Sequence, residues 1–121
     1  MDDTNLKSVT DTEFAWNSLL NQLELLVGKR PADLNSVLFL IGIQELGRGP
    51  KRFTKEQKQD LLHIAVCRVM SLSGYYSFDG YDADGWPMWT LLKPISQSGL
   101  LEQETLIKAN VIRYFDQTLT Y

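Results

Sequence analysis

Gly47-Arg48-Gly49-Pro50-Lys51-Arg52-Phe53-Thr54-Lys55-Glu56-Gln57-Lys58 decides the fold, because it closes one helix and opens the next. Upstream of it, Leu34, Val37, Leu38, Phe39, Leu40, Ile41, Ile43 and Leu46 leave almost no polar side on a helix that starts near Pro31 and stops at Gly47. That helix is expected to be the central, most buried element. Inside it, Gly42 costs about 1 kcal/mol relative to Ala, which predicts a neighbouring helix or aromatic ring lying directly on its backbone.

Downstream, Thr54 and Gln57 have the spacing of a capping box, in which hydroxyl and carboxamide each satisfy a backbone N–H of the first turn. Thr54 therefore marks a helix start. The first turns, Lys55 to Asp60, are polar, whereas Leu61, Leu62, Ile64, Ala65, Val66, Val69, Met70 and Leu72 make the second half apolar before Gly74. Only the distal end of this helix can be deeply buried.

Working outward, Thr10-Asp11-Thr12-Glu13 supplies N-cap residues, and Phe14, Trp16, Leu19, Leu20, Leu23, Leu26 and Val27 recur at helical spacing up to Gly28. The first helix is predicted over residues 12–27. Beyond Gly74 the period changes. Tyr75-Tyr76-Ser77-Phe78-Asp79-Gly80-Tyr81 and Trp86-Pro87-Met88-Trp89-Thr90-Leu91-Leu92 flank Asp82-Ala83-Asp84-Gly85, the grammar of a β-hairpin with Gly85 at positive φ. Pro87 places the second strand at an edge or begins it. Trp86 and Trp89, three residues apart, face opposite ways in a regular strand. Pro94 ends the strand, Ser96 or Ser98 caps a last helix over about 98–118, and the broad apolar coverage of that helix leaves a surface for a second copy.

The expected fold class is mainly α (α+β): a three-helix core, one antiparallel hairpin at about 75–92 and a long C-terminal helix, within one domain over residues 1–121. Over residues 34–93 this order of elements is similar to a winged-helix domain, with Gly74-Tyr75-Tyr76 through Trp89-Thr90-Leu91 in the place of the wing. The resemblance implies nucleic-acid binding.

With 44% hydrophobic and 22% charged residues in 121, the composition is that of an ordinary folded domain. A single cysteine, Cys67, excludes an intramolecular disulfide and a thiolate cluster for zinc. The acidic start, Met1-Asp2-Asp3, lacks the apolar core of a signal peptide, and no apolar run approaches the ~18 residues of a membrane span. A cytoplasmic protein without membrane attachment is expected.

The net charge of -3 is unevenly spread. Arg48, Lys51, Arg52, Lys55 and Lys58 face only Glu56, while Asp79, Asp82 and Asp84 have no cation among them, so a basic corner and an acidic tip are expected. The glycines and cations of residues 47–53 suit an anion, although they match neither a P-loop nor a dinucleotide fingerprint. Glu56, Asp60, His63 and Cys67 share one helical face, yet they are spread over three turns and cannot all reach one metal ion. A half-buried His63 bonded to Asp60 is the simpler expectation. Asp79, Asp82 and Asp84 fall short of a calcium loop by two ligands and suit a tight turn. Cys67 and His63 are one turn apart, in a setting too apolar to activate a thiol.

No catalytic, cofactor or metal signature emerges, and the expected function is a non-enzymatic protein-interaction or regulatory module. Its candidate surface is the basic stretch Arg48, Lys51, Arg52, Lys55 and Lys58, with Tyr81, Trp86 and Trp89 as a candidate aromatic surface. The alternatives are a winged-helix-like nucleic-acid binder, which the sequence pI near 5.0 disfavours, and a binder of phosphate or another anion at the basic loop.

Overall fold

The computed structural model describes residues 3–49, 51–95 and 99–119. Its elements are α1 (Asp3–Val27), α2 (Leu34–Leu46), α3 (Lys55–Ser71), β1 (Tyr76–Tyr81), β2 (Pro87–Leu91) and α4 (Leu100–Leu119). The chain is mainly α-helical with one antiparallel hairpin, as its periodicity predicts. Two compact units are distinguishable: residues 1–32 with 97–121, and residues 33–96.

In the first unit α1 and α4 pack together. Among the described side chains, Trp16, Leu19, Leu20 and Leu23 are buried on α1, and Asn110, Val111 and Tyr114 on α4. Asn110 satisfies its amide locally, Nδ2 donating to the Leu106 carbonyl at 3.2 Å and Oδ1 accepting from Arg113 at 3.3 Å. Lys108 ties the helices together: its Nζ lies 3.4 Å from Glu13, 3.2 Å from Glu104 and 5.2 Å from the centre of the Trp16 ring. α1 begins nine residues earlier than the expected residue 12. Thr10 to Glu13 are strong N-cap types, but they also sit within helices, and residues 3–11 contain neither Gly nor Pro to interrupt one. The expected caps Ser96 and Ser98 lie outside the described residues.

The second unit is built on α2 crossing α3. Val37, Leu38, Ile41, Gly42 and Leu46 are buried on α2, and Leu61, Ile64, Ala65, Cys67, Val69 and Met70 on α3. Gly42 is where the two backbones meet. A Cβ there would lie 2.9 Å from the Leu61 carbonyl carbon and overlap its oxygen, so the anticipated neighbour is the α3 backbone itself. α2 starts at Leu34 rather than near Pro31, because Asp33 is the N-cap: its carboxylate accepts from the Ser36 N–H at 2.9 Å and the Ser36 hydroxyl at 2.8 Å. These bonds lower the Asp33 pKa, the backbone bond first. α3 starts where its sequence predicts, with both halves of the capping box formed: Gln57 N–H to Thr54 Oγ1 at 3.1 Å, and Thr54 N–H to Gln57 Oε1 at 2.9 Å.

The hairpin pairs Tyr76 with Leu91, Ser77 with Thr90, Phe78 with Trp89, and Tyr81 with Pro87. Between the last two pairs β1 advances three residues while β2 advances two, so β1 carries a bulge. Gly80, at φ 96, lies within it. The extra residue returns Tyr81 to the face of Phe78, which strict alternation denies it.

Candidate functional site

The basic stretch and the acidic turn meet. Arg48 Nη2 donates to the backbone carbonyl of Asp84, and a Cβ on Gly85 would lie 2.7 Å from the same nitrogen. One of the five candidate cations is thus committed within its own unit. Lys51, Arg52, Lys55 and Lys58 are exposed, and among the described residues none of them pairs with a carboxylate. They run from the inter-helix loop into the first turn of α3.

The same segment has fewer backbone donors for an anion than its glycines suggest. The Gly47 N–H caps α2 by donating to the Ile43 carbonyl at 3.1 Å, and the capping box uses the Thr54 and Gln57 N–H groups. Pro50 lies outside the described residues. The charge that remains is on flexible side chains, which suits an extended acidic surface better than one tightly held ion.

The acidic tip is built as a turn. Asp82 Oδ1 accepts from the Asp84 and Trp86 N–H groups at 2.8 and 2.9 Å, while the Asp82 N–H donates to the Trp86 carbonyl at 2.9 Å. Gly85 takes φ 85, as its place after Asp84 predicts. Asp79 accepts from the Thr90 hydroxyl across the strands. Among the described residues no group of three or more His, Cys, Asp or Glu side chains is placed to hold a metal.

His63 departs from expectation. It is exposed, and its Nε2 lies 3.5 Å from Cys67 Sγ rather than on Asp60. A spacing of four brings His63 above Cys67 on the helix as readily as a spacing of three brings it above Asp60. Tyr76 closes this cluster, its ring edge-on to His63 at 6.4 Å between centres. Burial pushes the Cys67 thiol up to about 11, which holds it as a thiol and leaves little nucleophile near neutral pH. Glu45, near the end of α2, is paired with Arg68 Nε at 3.5 Å.

The three candidate aromatic residues separate into two clefts on the second unit. Trp86, with Asp60, His63, Ile64, Asp82 and Pro87, lines one of about 190 Å³. Tyr81 and Trp89 line another of about 360 Å³ with Glu45, Arg68, Ser71, Phe78 and Pro87. Phe78 lies at the middle of the aromatic group, 5.3 Å from Tyr81 and 5.2 Å from Trp89 between ring centres. Phe78 and Tyr81 are 49% and 63% exposed, enough to offer their rings to another molecule. Of the other residues lining this cleft, Phe78 belongs to the aromatic run that the sequence displays, whereas Arg68 does not stand out. The aromatic alternation hints at the first, whereas no local pattern announces the second.

No helix among the described residues is long and apolar enough to cross a membrane. No protein-family model matches the chain, nor does any curated protein or solved structure. The winged-helix resemblance expected from the order of elements is not confirmed.

Proposed function

We propose that the chain is a non-enzymatic interaction module that engages an acidic segment of a partner protein through Lys51, Arg52, Lys55 and Lys58. The observation that carries this reading is that all four cations are exposed and unpaired, in a chain whose net charge is -3. Lys108 and Arg68, by contrast, have carboxylate partners. Four neighbouring unpaired cations raise the encounter rate with an acidic surface and select against basic ones. Arg48 is assigned a different role, holding the hairpin turn.

A protein partner is favoured over nucleic acid because a short acidic segment can be confined to the basic stretch, whereas an extended phosphate backbone also runs against Asp79, Asp82 and Asp84 of the hairpin that Arg48 ties to the same loop. The test is titration of the protein with a fluorescent glutamate-rich peptide and, separately, with single- and double-stranded oligonucleotides at low salt. The expected result is saturable peptide binding that weakens with salt and is lost in a Lys51→Glu, Arg52→Glu, Lys55→Glu, Lys58→Glu variant of unchanged thermal midpoint. Tighter, salt-steep oligonucleotide binding by the same residues would make the chain a nucleic-acid binder. A thermal shift with inorganic phosphate alone would favour a single anion site.

A further inference from the structure

We infer that the cleft of about 360 Å³ between the hairpin face and the ends of α2 and α3 binds a small aromatic zwitterion of the α-amino-acid class. Its volume is in the range of small-ligand sites, and its lining combines an apolar wall with a few convergent polar groups, the usual make-up of such a site. This inference is independent of the basic surface.

The wall is aromatic. Phe78 contacts Tyr81 and Trp89 at ring-centre distances of 5.3 and 5.2 Å, tilted by 76° and 56°. Rings set at such angles leave faces and edges that accept another planar ring. The bulge at Gly80 is what assembles them, since without it Tyr81 would point to the other side of the sheet.

The polar end is doubly charged. Glu45 and Arg68 lie 3.5 Å apart with side chains only 24% and 29% exposed. A ligand with one charge is attracted by one of these groups and repelled by the other. A zwitterion satisfies both: its carboxylate lies toward Arg68 and its ammonium toward Glu45, extending the ion pair into a four-charge cluster. Trp89 also lines the cleft, and its buried indole N–H has no acceptor among the described residues. That nitrogen is closed to solvent, so the N–H serves as a reporter of a ring packed against Trp89 and not as a donor to the ligand.

The test uses the full chain and three ring-matched probes: L-phenylalanine, its amide, which keeps only the ammonium, and 3-phenylpropionate, which keeps only the carboxylate. Binding is read by calorimetry and by the shift of the Trp89 indole N–H proton in nuclear magnetic resonance, assigned with Trp89→Phe. L-phenylalanine is expected to saturate the site and each singly charged analogue to bind at least ~10-fold more weakly. Arg68→Gln is expected to remove the penalty for losing the carboxylate, and Glu45→Gln the penalty for losing the ammonium. Equal binding of the three probes, or no shift with about 10 mM L-phenylalanine, would overturn the inference. Circular dichroism and thermal midpoints of both variants separate lost binding from lost folding. Failure here leaves the peptide titration of the basic surface unaffected, and the converse also holds.

Discussion

Arg48 donates to the backbone carbonyl of Asp84, 36 residues away in the chain, and so holds the turn of the hairpin against the loop that leaves α2. The contact needs Gly85, because a Cβ there would lie 2.7 Å from the guanidinium nitrogen and the backbone sits at φ 85. Arg48→Ala and Gly85→Ala are expected to destabilise the second unit separately, Gly85→Ala by about 1 kcal/mol or more. Their effects should fall short of additive in a double-mutant cycle, since either change alone breaks the same contact. Strict additivity in denaturant midpoints would remove this coupling.

Gly42→Ala reverses a familiar sign. In an open helix the substitution stabilises by about 1 kcal/mol, but here the new methyl group overlaps the Leu61 carbonyl. A net loss of about 1–3 kcal/mol is expected as α2 and α3 are pushed apart. Urea denaturation reads it directly, and an unchanged or higher midpoint would mean that the helices yield without penalty.

Cys67 makes stability fall in alkali. Its folded pKa, raised by burial to about 11 from the ordinary 9.0, means that the unfolded chain loses the proton first. Tyr76 is raised as well, by burial and then by the charge of ionised Cys67. The contribution of the thiol is complete below its ordinary value and is lost as pH rises toward about 11. Denaturation of wild type and Cys67→Ala between about pH 8 and 10.5 is expected to show the steeper decline in wild type. Parallel declines would assign the slope to other groups.

In the first unit, Lys108→Met keeps the aliphatic stem and removes the charge that reaches Glu13, Glu104 and Trp16. Both carboxylates are about half exposed, so a loss of under ~1 kcal/mol, smaller still in high salt, is expected. Thermal midpoints of the two proteins at low and high salt provide the check.

These contacts also mark how far the sequence could be read. The capping box at Thr54, the stop at Gly47, the tight backbone approach at Gly42 and positive φ at Gly85 are all legible, because each rests on a few neighbouring residues. The early start of α1 is not, since Thr10 to Glu13 suit an N-cap and a helix interior alike. Nor are the Arg48 contact and the Glu45 to Arg68 pair, which depend on how distant elements cross. The basic stretch was visible as composition, but which of its cations remain unpaired required the fold. The cleft was only half visible: its aromatic residues advertise themselves, whereas its charged end comes from two helices.

The bulge in β1 also turns the count of residues in that strand into a matter of parity. With the extra residue, Tyr76, Phe78 and Tyr81 share a face; with one fewer between Phe78 and Tyr81, the last ring changes sides while both strands remain paired. A single-residue deletion at Gly80 would therefore act as a two-position switch for the aromatic surface, leaving the helices beneath it undisturbed.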